Sequence, residues 1–495
     1  MKFLLYAQVD RHSIGKHLGA ADYSYFFLLR AFAPVLAQLG DVVELSDSNQ
    51  VDSIYKECAR RGERCVLLSF APPHKTPLGL ACPTVPVFAW EYPEIPERIE
   101  EKCWQGDPRH DWRLVLSSTG RAICLSSHTA EAVRRSMGRT YPIAPIPSPI
   151  APSPTPLRTH HIPPPDEGVV LRLNTAVVDS YRMGLDINAM VHPEAEDGTP
   201  FSTSDAEILP EALYGSADRP SSHSIRREDD STEHSIDDHY SSPLPCGWEI
   251  PPAIPIRIRL RGVVYTSVLT PSAGRKNWED LVTAFCWAFR NTEDATLVLK
   301  LTGKSLEHNH LQLLMMLTKL SPFKCRVIAL YGYLSDDEYA SLVAASTYYV
   351  NTSLCEGQCL PLVEFLNKGV PAIAPNNTAM ADYIIDDVAF VVKSYPGVPT
   401  MWPHGDNEIN RTSYSQLDWE SLAEAYRRSY AVAHHNPGRY EHMAQCARRT
   451  IQSYCGNDTV REALHRFLCP ELPTTINASS QDVIAAESSP FAVTT

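Results

Sequence analysis

The chain has 495 residues and a net charge of −14 at pH 7. This length exceeds what a single hydrophobic core normally serves, so we expect at least two domains. The acidic balance argues against a broad basic surface, and no nucleic-acid partner is expected. No uninterrupted apolar run reaches the roughly 18 residues that span a bilayer, so no transmembrane segment is expected either.

Thirteen cysteines are scattered along the chain. The closest pair, Cys355 and Cys359, lacks the second pair of ligands that a structural zinc site requires, and no metal is expected there. Cys124 and Cys286 lie in apolar runs, where a small buried thiol is the ordinary interpretation. The N-terminus reads as a first strand and has no signal-peptide pattern. Together these features predict a reducing, cytoplasmic location.

Residues 1–150 alternate between strand-like and helix-like segments. Alternation of this kind predicts an open, Rossmann-like parallel sheet, and such sheets bind ligands beyond the carboxyl ends of their strands. Strands are predicted at Phe3–Ala7, Val42–Leu45, Cys65–Phe70, Val85–Trp90 and Ala122–Leu125, and helices at Asp22–Leu39 and Thr129–Met137.

The loops after these strands hold the polar candidates of the first domain. They are Gly15, His74, Glu91 and His128. Each of them is also compatible with an ordinary surface-loop residue, and the sequence leaves that alternative open. We treat them as candidates for the side of the site that receives an acceptor.

The chain changes character between 151 and 245. Prolines are dense over 141–167, which favours extended and solvated backbone. Ser, Asp, Glu, His and Arg dominate 194–242, a composition typical of disorder. A metal cluster at Asp229–His239 is a weaker interpretation than an acidic loop. We therefore predict a disordered insertion over 151–245, whose role the sequence leaves open.

Order returns in the second half with strands at Gly262–Val268, Thr296–Leu301 and Arg326–Tyr331. The pattern predicts a second domain over 246–395. Helices are predicted at 419–434 and 439–453, within a C-terminal segment 396–470 that packs back on the first domain. The tail 471–495 is polar and rich in small residues, so disorder is expected there.

The stretch 349–383 combines a buried strand, a loop, a helix opened by Pro361 and a further strand at 370–374. Gly369 is well placed to end the helix. Backbone N–H groups at the start of such a helix favour a phosphate. Glu356 and Glu364 flank this helix start, and a carboxylate there can hold sugar hydroxyls. A solvated loop glutamate and an ordinary helix glutamate are the plain alternatives.

The spacing Glu356-x7-Glu364, with Gly357 after the first acid and Gly369-Val370-Pro371 after the helix, resembles the donor-site signature of retaining GT-B glycosyltransferases of family 4 (glycosyltransferase group 1). The resemblance covers 246–470 well and 1–150 loosely. It implies an α/β fold of the GT-B type, with two doubly wound Rossmann-like domains facing a cleft and a long disordered insertion between them.

The resemblance also implies roles for single residues. Glu364 is expected to hold the ribose and Glu356 the donor sugar or its phosphates. Catalytic roles are expected for Glu356, Lys276 and Arg275, because basic residues near a strand-to-helix turn neutralise a diphosphate. Further donor-binding residues are expected at Gly357, Gln358, Cys359, Leu360, Lys300, Tyr333, Leu334 and Asp382.

The activity implied is transfer of a hexose from a nucleoside diphosphate sugar to a hydroxyl acceptor (glycan, lipid or protein), with retention at the anomeric carbon. No metal and no other cofactor is expected, and the chain contains no Asp-x-Asp triplet of the kind that holds a divalent cation. Two positions depart from the family: Trp90-Glu91 replaces a common His–acid pair, and Pro271 replaces an arginine. A non-catalytic GT-B scaffold is therefore the alternative.

Overall fold

The computed structural model describes residues 1–9, 23–98, 104, 106–154, 168–182, 250–303, 306–397, 400–401 and 411–469. The candidate Gly15, the acidic stretch 194–242 and the tail 471–495 lie outside these ranges. Within the described ranges, no helix is both long and apolar enough to cross a membrane.

The first sheet holds six parallel strands, as the alternating pattern predicts. Its central strands are apolar on both faces because helices cover both sides. The strands, in spatial order, are β2 (Asp41–Leu45), β1 (Lys2–Tyr6), β3 (Cys65–Phe70), β4 (Thr84–Phe88), β5 (Ala122–Cys124) and β6 (Ile143–Pro145). The helices of this domain are α1 (Tyr23–Leu36), α2 (Val51–Arg60), α3 (Trp112–Thr119) and α4 (Ser127–Met137).

The second sheet holds eight strands, of which six are parallel. Its spatial order is β14 (Ala389–Val392), β13 (Ala372–Pro375), β12 (Tyr348–Val350), β9 (Val263–Leu269), β10 (Ala295–Leu301), β11 (Arg326–Tyr331), β7 (Val169–Asp179) and β8 (Ile254–Leu260). The helices between these strands are α5 (Trp278–Ala288), α6 (Glu307–Leu320), α7 (Asp336–Ala345) and α8 (Leu360–Asn367). The predicted α/β fold with two Rossmann-like sheets is confirmed.

Two predictions about the middle of the chain are wrong. Strand β7 lies inside the range 151–245 that we predicted as a disordered insertion, yet it pairs antiparallel with both β11 and β8. The proline-dense segment was predicted to be extended and solvated. Its start is extended, since Ile143–Pro145 forms a strand, but it is not solvated, because Ile146 and Ser148 after the strand are buried. Proline is tolerated there because β6 is an edge strand, where a missing N–H breaks no ladder.

The C-terminal segment contains three helices: α9 (Trp419–His435), α10 (Pro437–Cys455) and α11 (Asn457–Leu468). Helix α11, which the sequence pattern did not predict, returns to the first domain. Its Val460, Leu464 and Leu468 are buried in the first domain's hydrophobic core, and Arg461 Nη1 donates to Gln38 Oε1 of that domain at 2.9 Å. This arrangement is the GT-B layout that the resemblance implies.

Two short ribbons precede α9. In one, β15 (Ser394–Pro396) pairs with β18 (Ser415–Leu417), and in the other, β16 (Thr400–Met401) pairs with β17 (Arg411–Thr412). They were not predicted, because two- and three-residue strands carry no readable period.

Gly369 ends α8 with a φ of 77°, in the left-handed region. We expect Gly369→Val to lower the free energy of unfolding by about 1–2 kcal/mol, because a β-branched residue is strained there. Thermal unfolding of the purified variant measures this loss.

Gly438→Ala is the matched control, since a Cβ at Gly438 meets nothing within 4 Å and alanine favours a helix. Its melting temperature should be unchanged or higher. An unchanged melting temperature in Gly369→Val would contradict the helix-end assignment.

Candidate functional site

A buried ionic cluster lies at the carboxyl ends of the second sheet, around Glu356 in the loop between β12 and α8. The Glu356 side chain is 4 % exposed. It accepts from Arg275 Nη1 at 2.9 Å and from Lys276 Nζ at 2.5 Å. Ser353 Oγ adds a hydrogen bond to the same carboxylate at 2.6 Å. Both cations come from the turn between β9 and α5, so two sheet-edge loops meet at one carboxylate.

The charges in this cluster perturb each other strongly. Burial by itself raises the pKa of the Glu356 carboxyl, but the charges of Lys276 and Arg275 outweigh burial and lower the pKa to about 2. Burial lowers the pKa of Arg275, whereas Glu356 and Glu91 together raise it well above its usual range. The Glu356 carboxylate and the Arg275 guanidinium are therefore both charged at neutral pH.

Backbone strain concentrates around the same cluster. Three non-glycine residues of the described chain have positive φ: Asn277, Cys359 and Thr378. Asn277 follows Lys276 directly, Cys359 caps α8, and Thr378 Oγ1 accepts the Glu356 N–H at 2.9 Å. Residues in left-handed conformation cost energy and persist mainly at functional sites. This second, independent feature marks the region as the candidate site.

Helix α8 begins one residue earlier than predicted, at Leu360, so that Pro361 occupies its second position. Glu364 is consequently the fifth residue of α8. It lies beyond the first turn of the helix and does not flank the helix start as predicted. Its exposed side chain accepts a hydrogen bond from the Tyr339 hydroxyl on α7 at 2.7 Å. One carboxylate oxygen, Oε2, is thus oriented by Tyr339.

A pocket opens beside the cluster. It is lined by the carboxyl end of β9, by Lys276, by Tyr349, by the loop residues 351–353 and by Cys359. The space that it encloses is about 10 Å³, which is room for about one water molecule. A phosphate therefore fits only if the surrounding side chains move.

Contacts between the two domains limit the space around this pocket. A Cβ on Gly357 would lie 2.8 Å from Ala89 Cβ and 3.0 Å from the Trp90 nitrogen, so only glycine fits against the first domain. We expected Gly357 to let backbone approach a ligand. In the structure, the close approach that it permits is to the loop after β4.

Three more candidates bridge the domains. Glu91 of the first domain pairs with Arg275 Nη2 at 2.7 Å. Gln358 is buried, and its Oε1 accepts the Ser148 N–H at 3.0 Å. Asp382 Oδ2 accepts the Ser127 N–H at 2.9 Å, at the N-terminus of α4, where the helix dipole favours a carboxylate.

The remaining donor-side candidates lie at the ends of β10 and β11. Lys300 is 6 % exposed, and burial lowers its pKa to about 8. Tyr333 is 52 % exposed, whereas the Leu334 side chain is buried in a hydrophobic cluster. Within the described residues, no hydrogen bond or ion pair joins these three side chains to the Glu356 cluster. Their donor-binding roles stay predictions.

Two acceptor-side histidines are largely buried. His74 Nδ1 accepts from the Trp112 indole at 3.0 Å, and burial lowers the pKa of His74 to about 3. His74 therefore packs as a neutral imidazole in an aromatic cluster with Trp104 and Trp112. His128 Nε2 lies 3.0 Å from the Glu91 carbonyl oxygen, and burial lowers its pKa as well. Of the two, only His128 lies beside the ionic cluster.

Sequence reasoning missed Ser353, Tyr339 and Thr378. Ser353 and Thr378 follow the carboxyl ends of β12 and β13, so the rule that places ligands beyond these ends was a usable signal for them. The sequence held no such signal for Tyr339, because its contact with Glu364 joins two helices and does not lie at a strand end. Within the described ranges, no three or more His, Cys, Asp or Glu side chains are grouped so that they could hold a metal ion.

No protein-family model and no curated protein matches the chain in sequence. Solved structures resemble it distantly. A sucrose-phosphate synthase from Thermosynechococcus elongatus is 12 % identical with a TM-score of 0.46, over 94 % of this chain and 98 % of that one. HepE from Anabaena, in complex with UDP-glucose, is 12 % identical with a TM-score of 0.47 (94 % and 99 %). WaaG, a glycosyltransferase involved in lipopolysaccharide biosynthesis, is 10 % identical with a TM-score of 0.45 (94 % and 99 %). We infer function from the site itself.

Glu356→Gln tests the ionic cluster through stability. The folded-state pKa of about 2 lies below the ordinary 4.5, so ionised Glu356 contributes about 3 kcal/mol above pH 4.5. This contribution is lost as the pH falls toward 2. We expect the variant to unfold at lower urea than wild type at pH 7, with the gap shrinking between pH 4.5 and pH 2.

Glu57→Gln is the control, because Glu57 pairs with Arg61 on the exposed surface of α2 and such pairs contribute little. Its urea midpoint should follow wild type at every pH. A pH-independent gap for Glu356→Gln would show that packing, and not the carboxylate charge, explains the loss.

Lys300→Met tests the buried lysine. Since the folded-state pKa of Lys300 is lowered from 10.5 to about 8, its charged form opposes folding below pH 8, by up to about 3 kcal/mol. This destabilisation by the charged Lys300 decreases as the pH rises from 8 to 10.5. Methionine removes the charge at similar volume, so the variant should be more stable than wild type at pH 7 and lose this advantage by pH 10. A less stable variant at pH 7 would indicate that the ammonium has a stabilising partner.

Proposed function

We propose that the chain is a glycosyltransferase that moves a hexose from a nucleoside diphosphate sugar to a hydroxyl acceptor, with retention of configuration and without a metal ion. The observation that carries this proposal is the buried cluster of Glu356, Arg275 and Lys276 beside the N-terminus of α8. Two fixed cations and a helix N-terminus favour a diphosphate. A carboxylate between them accepts hydrogen bonds from sugar hydroxyls.

These groups would contribute to the reaction by electrostatic stabilisation of charge. The bond between the anomeric carbon and the diphosphate breaks, and the acceptor oxygen bonds to the same carbon while its hydroxyl loses a proton. Negative charge grows on the departing diphosphate, where Arg275 and Lys276 stabilise it without reorganising. We assign the ribose contact to Glu364, whose Oε2 accepts a hydrogen bond from the Tyr339 hydroxyl. We assign no protein nucleophile.

Other features support the finer parts of the proposal. The eleven cysteines within the described residues are all free thiols, which fits a reducing, cytoplasmic setting. Two cations held by a buried carboxylate supply the charge that a metal ion otherwise provides at a diphosphate, which supports metal independence.

The second candidate function is a non-catalytic scaffold that binds a nucleotide sugar or a protein partner. Its support is the acceptor side of the cleft, where His74 is a neutral core histidine and Trp90 packs in the same aromatic cluster. A scaffold of this kind binds the donor without turnover. Release of nucleoside diphosphate in the presence of candidate acceptors separates the two functions.

The first test is thermal unfolding of wild type with UDP-, GDP- and ADP-sugars in EDTA. A ligand that binds only the folded state at 100 times its dissociation constant adds about 2.7 kcal/mol of stability. We expect one nucleotide class to raise the melting temperature of wild type and to have little effect on Glu364→Ala. Binding in EDTA would also support a metal-free site.

Glu424→Ala provides the control, since Glu424 is an exposed helix glutamate that pairs with Arg427 across one turn. It should respond to the donor as wild type does. If no nucleotide sugar shifts wild type at millimolar concentration, the donor-site assignment fails. If Glu364→Ala responds fully, the site stands but Glu364 has no part in it.

A further inference from the structure

Arg275 is held by two carboxylates from different domains. Its Nη1 donates to Glu356 Oε2 at 2.9 Å, and its Nη2 lies 2.7 Å from Glu91 Oε1. The side chains of Arg275 and Glu91 are only 15 % and 22 % exposed, so water screens this pair weakly. Both terminal nitrogens of the guanidinium are therefore engaged inside the protein.

The charges of this cluster balance. Arg275 and Lys276 carry two positive charges, and Glu356 and Glu91 carry two negative ones. A diphosphate adds negative charge to a neutral, poorly screened cluster. Arg275 attracts the diphosphate fully only after one of the two carboxylates has moved away from the guanidinium.

Of the two carboxylates, Glu91 is the one that can move away from Arg275. Glu356 is fixed by Ser353, Lys276 and Arg275 together, and it is almost fully buried. No other side-chain contact of the Glu91 carboxylate is found among the described residues, and Glu91 lies in a loop of the opposite domain.

We propose that Glu91 sets the affinity of the donor site, as an internal competitor that a diphosphate must displace from Arg275. The inference rests on the proposed function, since it concerns the same anion. A doubly charged diphosphate replaces the lost carboxylate contact, whereas a neutral nucleoside has nothing to offer Arg275. Glu91 thereby weakens the binding of ligands that carry the diphosphate and leaves the binding of neutral nucleosides unchanged.

The position of Glu91 also connects the anion to the domain contact. Ala89 and Trp90, the two residues before it, lie against Gly357, and the Glu91 carbonyl oxygen contacts His128. Displacing Glu91 therefore removes a charged contact between the two domains.

Calorimetric titration tests this inference in the full-length protein. The probes are UDP, GDP, ADP, the corresponding nucleosides, and pyrophosphate, which is independent of the base. Glu91→Gln keeps the shape of the side chain but removes its charge. We expect it to bind pyrophosphate and the preferred diphosphate about tenfold more tightly than wild type, the gain from one charge-assisted contact. Nucleoside affinity should not change.

Glu97→Gln is the matched control, because Glu97 pairs with Arg113 on the surface of the same domain. It should bind every probe as wild type does. Should Glu91→Gln not fold, Glu91→Asp shortens the side chain and withdraws the carboxylate from Arg275, with the same expected direction.

The outcomes separate the two proposals. Equal diphosphate affinity in wild type and Glu91→Gln overturns the role of Glu91 and leaves the proposed function standing. Tighter binding of nucleosides and diphosphates alike also overturns it, because the effect would not depend on the diphosphate. If neither protein binds any diphosphate, the proposed function fails and the inference fails with it.

Discussion

The structure of the site depends on one buried carboxylate, Glu356, held between Arg275 and Lys276. Burying any one of these charges alone would cost several kcal/mol. Together they form a compact cluster that ties the loop before α8 to the turn before α5. The two loops that carry the candidate phosphate groups are thus positioned by the same ionic contact.

Two residues beside this cluster combine a strained backbone conformation with side-chain hydrogen bonds that compensate for it. Cys359 and Thr378 adopt a left-handed backbone that L-residues avoid, and both make side-chain contacts there. Cys359 Sγ accepts from Asn351 at 2.9 Å, and Thr378 Oγ1 accepts from the Glu356 backbone. A glycine at either position would relieve strain but forfeit the contact. The polar side chains are therefore part of what holds the loop in shape.

The domain boundary is the second constraint. Glu91, Gln358 and Asp382 each use a polar side chain to contact the other domain, and Gly357 lies against it without a side chain. With Arg275, the partner of Glu91, five of the candidate residues contact the opposite domain in this structure. Under the proposed function, a diphosphate that enters the cleft competes with Glu91 for Arg275. Donor affinity then reflects a competition between ligand and protein groups, which is a measurable quantity.

The sequence by itself determined the two Rossmann-like sheets, the loop and helix around Glu356, and the left-handed Gly369, because strand period, helix period and glycine placement are local properties. Tertiary structure alone decided that Glu91 faces Arg275 and that Trp112 buries His74. It also decided that β7 pairs with β8 across the stretch 183–249. Contacts between distant segments depend on packing, which leaves no period in the sequence. For that reason the sequence predicted on which strand, loop or helix each site residue lies, but it did not predict which residue each of them contacts.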